Sequence, residues 1–151
     1  MTSQIDHLVV MASTLEAGVA WCEATLGITP SAGGEHEKYG THNRLFKIAS
    51  PKHPLAYFEI IAINPLTAPA KNSVARWFDM DDKALQKAVA QEPRLITFVA
   101  STDDIKGARH ALRTQGIERG QIVHASRKTN KGTLNWQITV REDGERLFNG
   151  C

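Results

Sequence analysis

Two residues in apolar, strand-like segments carry the most informative chemistry of this sequence. Glu59 lies within the run AYFEIIAI, where an isolated ionised carboxylate is costly unless it is paired or binds a metal. His7 lies within IDHLVVM, and a neutral imidazole there needs only a partner for each ring nitrogen. If both side chains point into one cleft, they suit an open metal site of the catalytic type. The alternative is that His7, like most single histidines in strands, has its hydrogen bonds satisfied and is not a metal ligand.

A second group of polar residues crowds the glycine-rich segment GGEHEKYGTHN. His36 and His42 are six residues apart, which lies outside the usual spacings of zinc ligands. One interpretation is a flexible polar loop with solvent-facing histidines. The other is a pocket wall that contributes His42 and Asn43 to substrate binding, because loops on a rigid scaffold often have this role. On that interpretation the segment 29–42 borders the cleft.

Three further side chains are candidates for contacts with a substrate. Arg76 and Trp77 offer an anion-binding or stacking pair, and Trp136 is predicted to line the cleft from a late strand. For each of them, packing in the core or at an interface is the alternative. Cys22 falls on the apolar stripe of a predicted helix, so we do not expect it to be a nucleophile. The sequence contains none of the common nucleotide-binding, zinc-protease or nucleophile-elbow motifs.

The composition excludes several classes of protein. The chain has 151 residues, 18 Lys+Arg and 16 Asp+Glu, so its formal net charge is +2, and its length suits one domain. Such a small excess of positive charge does not predict a nucleic-acid-binding face. No apolar run approaches the roughly 18 residues of a membrane helix, and we see no signal peptide. Two cysteines do not make a disulfide framework, which favours the cytoplasm.

The predicted elements occur in the same order twice. The first half reads as a strand at 5–11, a helix from Ser13 or Thr14 to Gly27, a short strand with a long loop over 29–42, and strands at 43–49 and 56–63. After a helix at 82–91, the second half reads as a strand at 94–100, a helix capped at 101–103 and ended by Gly116, and strands at 122–126 and 134–140. An offset of 90 residues superposes the two halves. We interpret this order as a duplicated βαβββ unit whose halves cup a cleft. The last strand alternates, so one of its faces is expected to be wetter than the other.

Four motifs along this pattern resemble those of a known superfamily. They are IDHLVV at 5–10, GTHNRLF at 40–46, EIIAI at 59–63 and RWF at 76–78. In this order they are similar to the vicinal-oxygen-chelate superfamily and to its glyoxalase-like domain branch. The resemblance implies an α+β fold in which paired βαβββ modules form a cupped mixed sheet. Module one then covers about 1–65, a connector about 66–92 and module two about 93–151, where the last strand is missing or truncated.

The resemblance also implies a divalent metal ion inside the cup, held by the first and fourth strands of each module. His7 and Glu59 occupy both positions of module one, and Glu59 would serve as a ligand or as a base. In module two the counterpart of His7 is Thr97, a poor metal ligand. The counterpart of Glu59 falls near Asn149, where the eighth strand should only be starting. Two of the four expected ligands are therefore present.

We therefore expect a glyoxalase-like protein, and as an enzyme it would use the divalent cation to polarise a carbonyl or hydroxyl group of a small substrate. The resemblance includes lyase, isomerase and ring-cleaving dioxygenase chemistry, and it does not choose among them. The alternative is a metal-free module of the same fold that binds or sequesters a small molecule. Thr97 and the short second module favour that alternative. A third interpretation is a partial domain without activity of its own.

The expected assembly is a homodimer. A βαβββ pair needs a last strand to cover the edge of the strand at 134–140, and residues 146–148 are the only strand-like residues that follow. A bare edge presents unpaired backbone groups and invites pairing with another chain. The alternative is a monomer whose tail folds back and blunts the edge with Glu145 and Arg146.

Overall fold

The helices and strands follow the order predicted from the sequence. A computed structural model describes residues 1–67, 75–129 and 132–146, with backbone only for 127–129. Its elements are β1 (Ser3–Met11), α1 (Leu15–Leu26), β2 (Ser31–His36), β3 (Thr41–Lys47), β4 (Tyr57–Ile63), α2 (Lys83–Val89), β5 (Arg94–Thr102), α3 (Ile105–Thr114), β6 (Gln121–Thr129) and β7 (Gly132–Val140). A short 3₁₀ turn, Glu37–Tyr39, joins β2 to β3. The predicted α+β class is confirmed.

Five of the strands form one mixed sheet in the order β2-β3-β4-β1-β5. The central strand β1 runs parallel to β4 and antiparallel to β5, so the first strand of the second half completes the sheet of the first half. Strands β6 and β7 form a separate antiparallel hairpin. This arrangement places β1 and β4, the strands that carry His7 and Glu59, side by side in the larger sheet.

The caps of the two long helices reproduce the offset found in the sequence. The hydroxyl of Thr14 accepts from the backbone N–H of Ala17, and the carboxylate of Asp104 accepts from the N–H of Gly107. These caps are 104 − 14 = 90 residues apart. The cap of α3 lies one residue beyond the predicted 101–103, because β5 continues to Thr102. Helix α1 ends at Gly27, whose φ of 67° requires the left-handed region that glycine adopts without strain.

The two faces of the five-stranded sheet are covered by different elements. Helix α1 packs on the face that carries Ile60 and Phe58, with Cys22 at the contact. The opposite face, which we call the site face, carries His7 and Glu59. At one end of the site face, α2 and the segment before it bury a second apolar cluster: Val9, Met11, Ile61, Met80, Leu85, Val89 and Ile96. These elements therefore cover one end of the site face, next to the positions of His7 and Glu59.

The hairpin of β6 and β7 is less buried than the sequence predicts. Residues 132–137 are exposed on both faces of β7, and residues 138–140 are half-buried. The predicted alternation of wet and dry faces is therefore wrong, because the main packing of β7 outside its own hairpin is against α3.

Some predictions fall on residues that the structure does not describe. The strand-like tail at 147–148, the expected ligand position Asn149, Lys131 of the basic stretch, and positions 68–74 of the connector lie outside the described residues. Within the described ranges, none of the helices has the length and apolarity needed to cross a membrane.

Candidate functional site

The fold brings His7 and Glu59 together on the site face. Glu59 pairs with Val9 in the parallel ladder of β1 and β4, so it lies on the neighbouring strand two residues beyond His7. The Nε2 atom of His7 is 3.5 Å from Oε2 of Glu59. The side chains are only 11% and 6% exposed. Two titratable groups thus meet in a largely buried position, where their interaction is stronger than at the surface.

The carboxylate of Glu59 is held on its other side by Asn43 of β3. The Nδ2 group of Asn43 donates to Oε1 of Glu59 at 2.6 Å, and its Oδ1 accepts from the backbone N–H of Gly34 at 2.8 Å. The two contacts together fix which end of the amide faces the carboxylate. A Cβ at Gly33 would lie 2.0 Å from Oδ1 of Asn43, so only glycine allows the backbone this close. Asn43 therefore leaves Oε2 of Glu59 directed toward His7.

The imidazole of His7 is held by its neighbour in sequence, Asp6. Oδ1 of Asp6 lies 2.6 Å from Nδ1 of His7. Adjacent side chains normally point to opposite faces of a strand, but the register with β5 shifts between Ile5 and His7, which leaves Asp6 as an extra residue. Such a bulge redirects a side chain. Sequence reasoning based on strict alternation missed Asp6, although the Asp-His dipeptide was a signal for it.

The two central groups change each other's pKa. Burial alone would lower the pKa of His7, but its contacts with the carboxylates of Asp6 and Glu59 outweigh burial and raise it. Burial alone would raise the pKa of Glu59, but His7, the Asn43 hydrogen bond and the charge of His36 lower it. The environment therefore favours an ionised Glu59 and strengthens the basicity of His7.

His36 extends the polar network to the edge of the sheet. Its Nδ1 is 2.9 Å from the hydroxyl of Thr41, and its Nε2 is 3.4 Å from Nδ2 of Asn43. In neutral His36, these distances fit a tautomer in which Nδ1–H donates to Thr41 and Nε2 accepts from Asn43. The hairpin register places His36 directly opposite Thr41. In the sequence, His36 has a spacing unsuitable for zinc and is otherwise interpreted as a solvent-facing loop residue, so sequence reasoning did not include it in the site.

An aromatic wall stands beside this network. The ring of Trp77 stacks on Tyr39 with 4.1 Å between centroids and meets His36 edge-on at 4.9 Å. Next to it, Nη1 of Arg76 pairs with Oδ1 of Asp81 at 2.6 Å. Of the predicted substrate-binding residues, Asn43 and Trp77 thus lie in or against the network, and Arg76 lies next to Trp77 in the chain.

Three other predicted positions are not brought into this cluster. By strand alternation His42 points away from Asn43, toward the charge of Glu16 on α1; burial lowers its pKa. Trp136 lies on β7 in the separate hairpin, where it is 41% exposed. Thr97 lies opposite Val9 in the β1–β5 ladder, and its hydroxyl donates to the carbonyl of Phe98 at 3.3 Å. The substrate-binding roles of His42 and Trp136 stay predictions, and this placement does not support that of His42.

Residues 5–150 match the glyoxalase-like domain family. The chain belongs to this family. No curated protein sequence matches it. This match extends over nearly the whole chain and confirms the resemblance inferred from the four sequence motifs.

Several solved structures share the fold. One is a variant of the methylmalonyl-CoA epimerase from Streptomyces coelicolor in complex with 2-nitronate-propionyl-CoA; the match has 18% identity, covers 85% of this chain and 81% of that chain, and has a TM-score of 0.54. Another is a hypothetical protein from Staphylococcus aureus, with 22% identity, 91% and 51% coverage and a TM-score of 0.61. The glyoxalase-like chain thus spans about half the length of the staphylococcal protein. At these identities the likeness shows a common fold.

The pair of His7 and Glu59 fits a divalent cation in donor type and in spacing. In a tetrahedral site with ligand distances of about 2.0–2.2 Å, two ligand atoms lie about 3.4 Å apart, and Nε2 and Oε2 are 3.5 Å apart. The contact of Nδ1 with Asp6 is the arrangement that usually orients a metal-binding histidine. The residues described by the structure contain no cluster of three or more His, Cys, Asp or Glu that could hold an ion. The pair therefore offers two donor atoms, one fewer than the three protein ligands of most catalytic zinc sites.

Proposed function

We propose that this glyoxalase-like protein is an enzyme that acts on a small substrate bearing a carbonyl or hydroxyl group, with a divalent cation at His7 and Glu59. The observation that supports the proposal is the 3.5 Å approach of Nε2 to Oε2 in a buried position. When bound, the cation would supply Lewis-acid polarisation of a substrate oxygen.

The surrounding residues favour Glu59 as a ligand over Glu59 as a base. A general base works best when its pKa lies near the operating pH, whereas the contacts of Glu59 with His7 and Asn43 lower its pKa. Asn43 holds Oε1 and leaves Oε2 for the cation. Asp6 accepts from Nδ1–H of His7, which leaves a lone pair on Nε2. These residues fix the donor atoms before substrate arrives, and so reduce the reorganisation that binding requires.

The substrate would lie between the polar pair and the aromatic wall. Trp77 offers a ring next to His36, and His36 contacts Asn43. This side of the site offers contacts both for an oxygen-bearing group and for an apolar or planar part of a small molecule. Arg76 would supply a polar contact of the substrate. The predicted contact of Asn43 with substrate would require its amide to exchange a partner, because that amide is engaged by Glu59, His36 and Gly34.

A metal-free binding module is the second candidate function. The observation that favours it is that both oxygens of Glu59 already have partners in the protein, Asn43 and His7, which satisfy the buried charge without an ion. Thr97 occupies the position of a third expected ligand, and its hydroxyl donates to the backbone carbonyl of Phe98.

Metal analysis separates the two candidates. Protein purified without chelators and dialysed against metal-free buffer is expected to retain a divalent metal in stoichiometric amount, or to take it up from a dilute solution of Zn²⁺, Mn²⁺ or Co²⁺. If the protein neither retains nor takes up any of these ions, yet keeps its fold, the enzyme proposal fails and the binding module remains.

We also propose that the protein forms a homodimer through its second half. In the part of the chain that the structure describes, β5 pairs only with β1 and β7 pairs only with β6, so each has an open edge. Leu134 and Trp136 on β7 are 52% and 41% exposed, and Leu95 on β5 is 44% exposed. Open edges beside exposed apolar side chains favour association.

Sedimentation equilibrium at micromolar concentration is expected to give the dimer mass. A monomer whose β7 amides are strongly protected from hydrogen exchange would contradict the proposal.

A further inference from the structure

Two neighbouring side chains carry buried N–H groups that have no acceptor. Among the described residues, Nε of Arg76 and Nε1 of Trp77 are shielded from solvent and make no hydrogen bond. Most buried donors in proteins are paired, and an unpaired one is costly. Two such donors on consecutive residues therefore call for an acceptor that the described residues do not supply.

The backbone that carries these donors is strained. Phe78 and Asp79, which follow directly, have φ values of 60° and 56°, in the left-handed region that non-glycine residues avoid. The turn is held from outside: the N–H of Asp79 donates to the carbonyl of Gly144 at 3.0 Å, and the carboxylate of Asp79 lies 3.1 Å from Nε of Arg146. Strained conformations fixed by surrounding contacts are concentrated at functional sites.

The same segment adjoins the polar network of the candidate site. Trp77 contacts His36, and His36 lies within hydrogen-bond distance of Asn43, which donates to Glu59. Asp81 engages Nη1 of Arg76 and so orients the guanidinium group, but it leaves Nε without a partner. Trp77 thus lies against the polar network of the candidate site, and Arg76 precedes it in the chain.

We propose that Arg76 and Trp77 bind an anionic oxygen group, a carboxylate or a phosphate, on the substrate. The assignment of this group to a substrate rests on the proposed function, but the anion site itself does not require a metal. An oxyanion that accepts from either donor removes the cost of leaving that donor unpaired. The substrate class is then a small acid or phosphorylated compound that also bears a carbonyl or hydroxyl group.

The indole N–H signals provide a direct test. The chain has three tryptophans, so its ¹H–¹⁵N spectrum contains an indole signal from each, and Trp77→Phe identifies that of Trp77 by its loss. Trp77→Phe keeps a ring to stack on Tyr39. Metal-free protein is titrated separately with inorganic phosphate and with malonate. The Trp77 signal is expected to move saturably with at least one of the anions, while the signals of Trp21 and Trp136 stay in place.

Variants then test the donors. Arg76→Gln is expected to weaken the anion affinity by about tenfold or more, and Trp77→Phe, followed through nearby amides, by about two- to tenfold. Arg94→Gln, at an exposed position on β5, is the control and is expected to change nothing. The anion site is refuted if neither anion moves the Trp77 signal, or if all three indole signals move together. The titration uses metal-free protein, so a failure of the metal proposal is distinguishable from a failure of this one.

Discussion

His7→Gln is expected to weaken the binding of Zn²⁺ or Co²⁺ by more than about 100-fold. Loss of an outer-shell partner alone lowers metal affinity by about 10–100-fold, and this substitution removes a donor atom itself. Glutamine can still donate to Glu59, so the buried carboxylate keeps a partner and the protein is expected to fold. The affinity is measured by calorimetry or by competition with a chromophoric chelator.

Two further variants show whether the effect arises at this site. Asp6→Asn is expected to weaken the binding of the same cation by about 10–100-fold, because a neutral amide oxygen is a weaker acceptor than a carboxylate for the Nδ1–H group of His7. His110→Ala removes an exposed histidine of α3 and is expected to leave the affinity unchanged. Equal affinities for the wild type and His7→Gln would mean that His7 holds no ion. A loss in His110→Ala as large as in His7→Gln would place the ion elsewhere.

Without metal, the stability of the wild type is expected to fall on both sides of a pH window set by the same pair. The pKa of His7 is raised above 6.5, so its contribution is complete below pH 6.5 and is lost as the pH rises through the folded value. The pKa of Glu59 is lowered below 4.5, so its contribution is present above pH 4.5 and is lost as the pH falls. The free energy of unfolding should therefore be greatest between these limits.

Glu59→Gln tests the coupling. Without the carboxylate, the pKa of His7 loses one of the two charges that raise it. The decline in the free energy of unfolding as the pH rises above 6.5 should therefore become shallower than in the wild type. At about pH 6, removing one partner of a buried ion pair is expected to lower the free energy of unfolding by about 3–5 kcal/mol. His7→Ala, which leaves Glu59 with Asn43 alone, should approach that loss. Urea unfolding followed by circular dichroism gives both quantities. Parallel curves of the free energy of unfolding against pH for the wild type and Glu59→Gln would show that the pair is not coupled.

The features that depend on a few neighbouring residues could be predicted from the sequence. Thr14 and Gly27 delimit α1 as predicted, and the offset of 90 residues reappears in the caps Thr14 and Asp104. The apolar surroundings of His7 and Glu59 indicated that each needs a partner, and in the fold each is partner to the other. Hydrophobic patterning and capping act over a few residues, so a single sequence carries them.

The rest depends on register and on distant packing. Asp6 reaches His7 because a bulge interrupts the alternation of β1, and His36 reaches Asn43 through the register of a hairpin. Neither is visible in a pattern of residue types. The position of His42 was predictable, because neighbours in a strand face opposite sides, and Asn43 already occupied the site face. The covering of one end of the site face by Met80 and α2 depends on long-range packing that no local signal encodes.

Anomalous diffraction from crystals grown with Mn²⁺ or Zn²⁺ tests most directly whether His7 and Glu59 hold a divalent cation. Data collected at the absorption edge of the metal are expected to show a peak between Nε2 of His7 and Oε2 of Glu59, at about 2.0–2.2 Å from each for Zn²⁺. The peak should be absent from crystals of His7→Gln grown under the same conditions. A map without a peak at this position at saturating metal, with Glu59 still held by His7 and Asn43, would contradict a metal site at this pair.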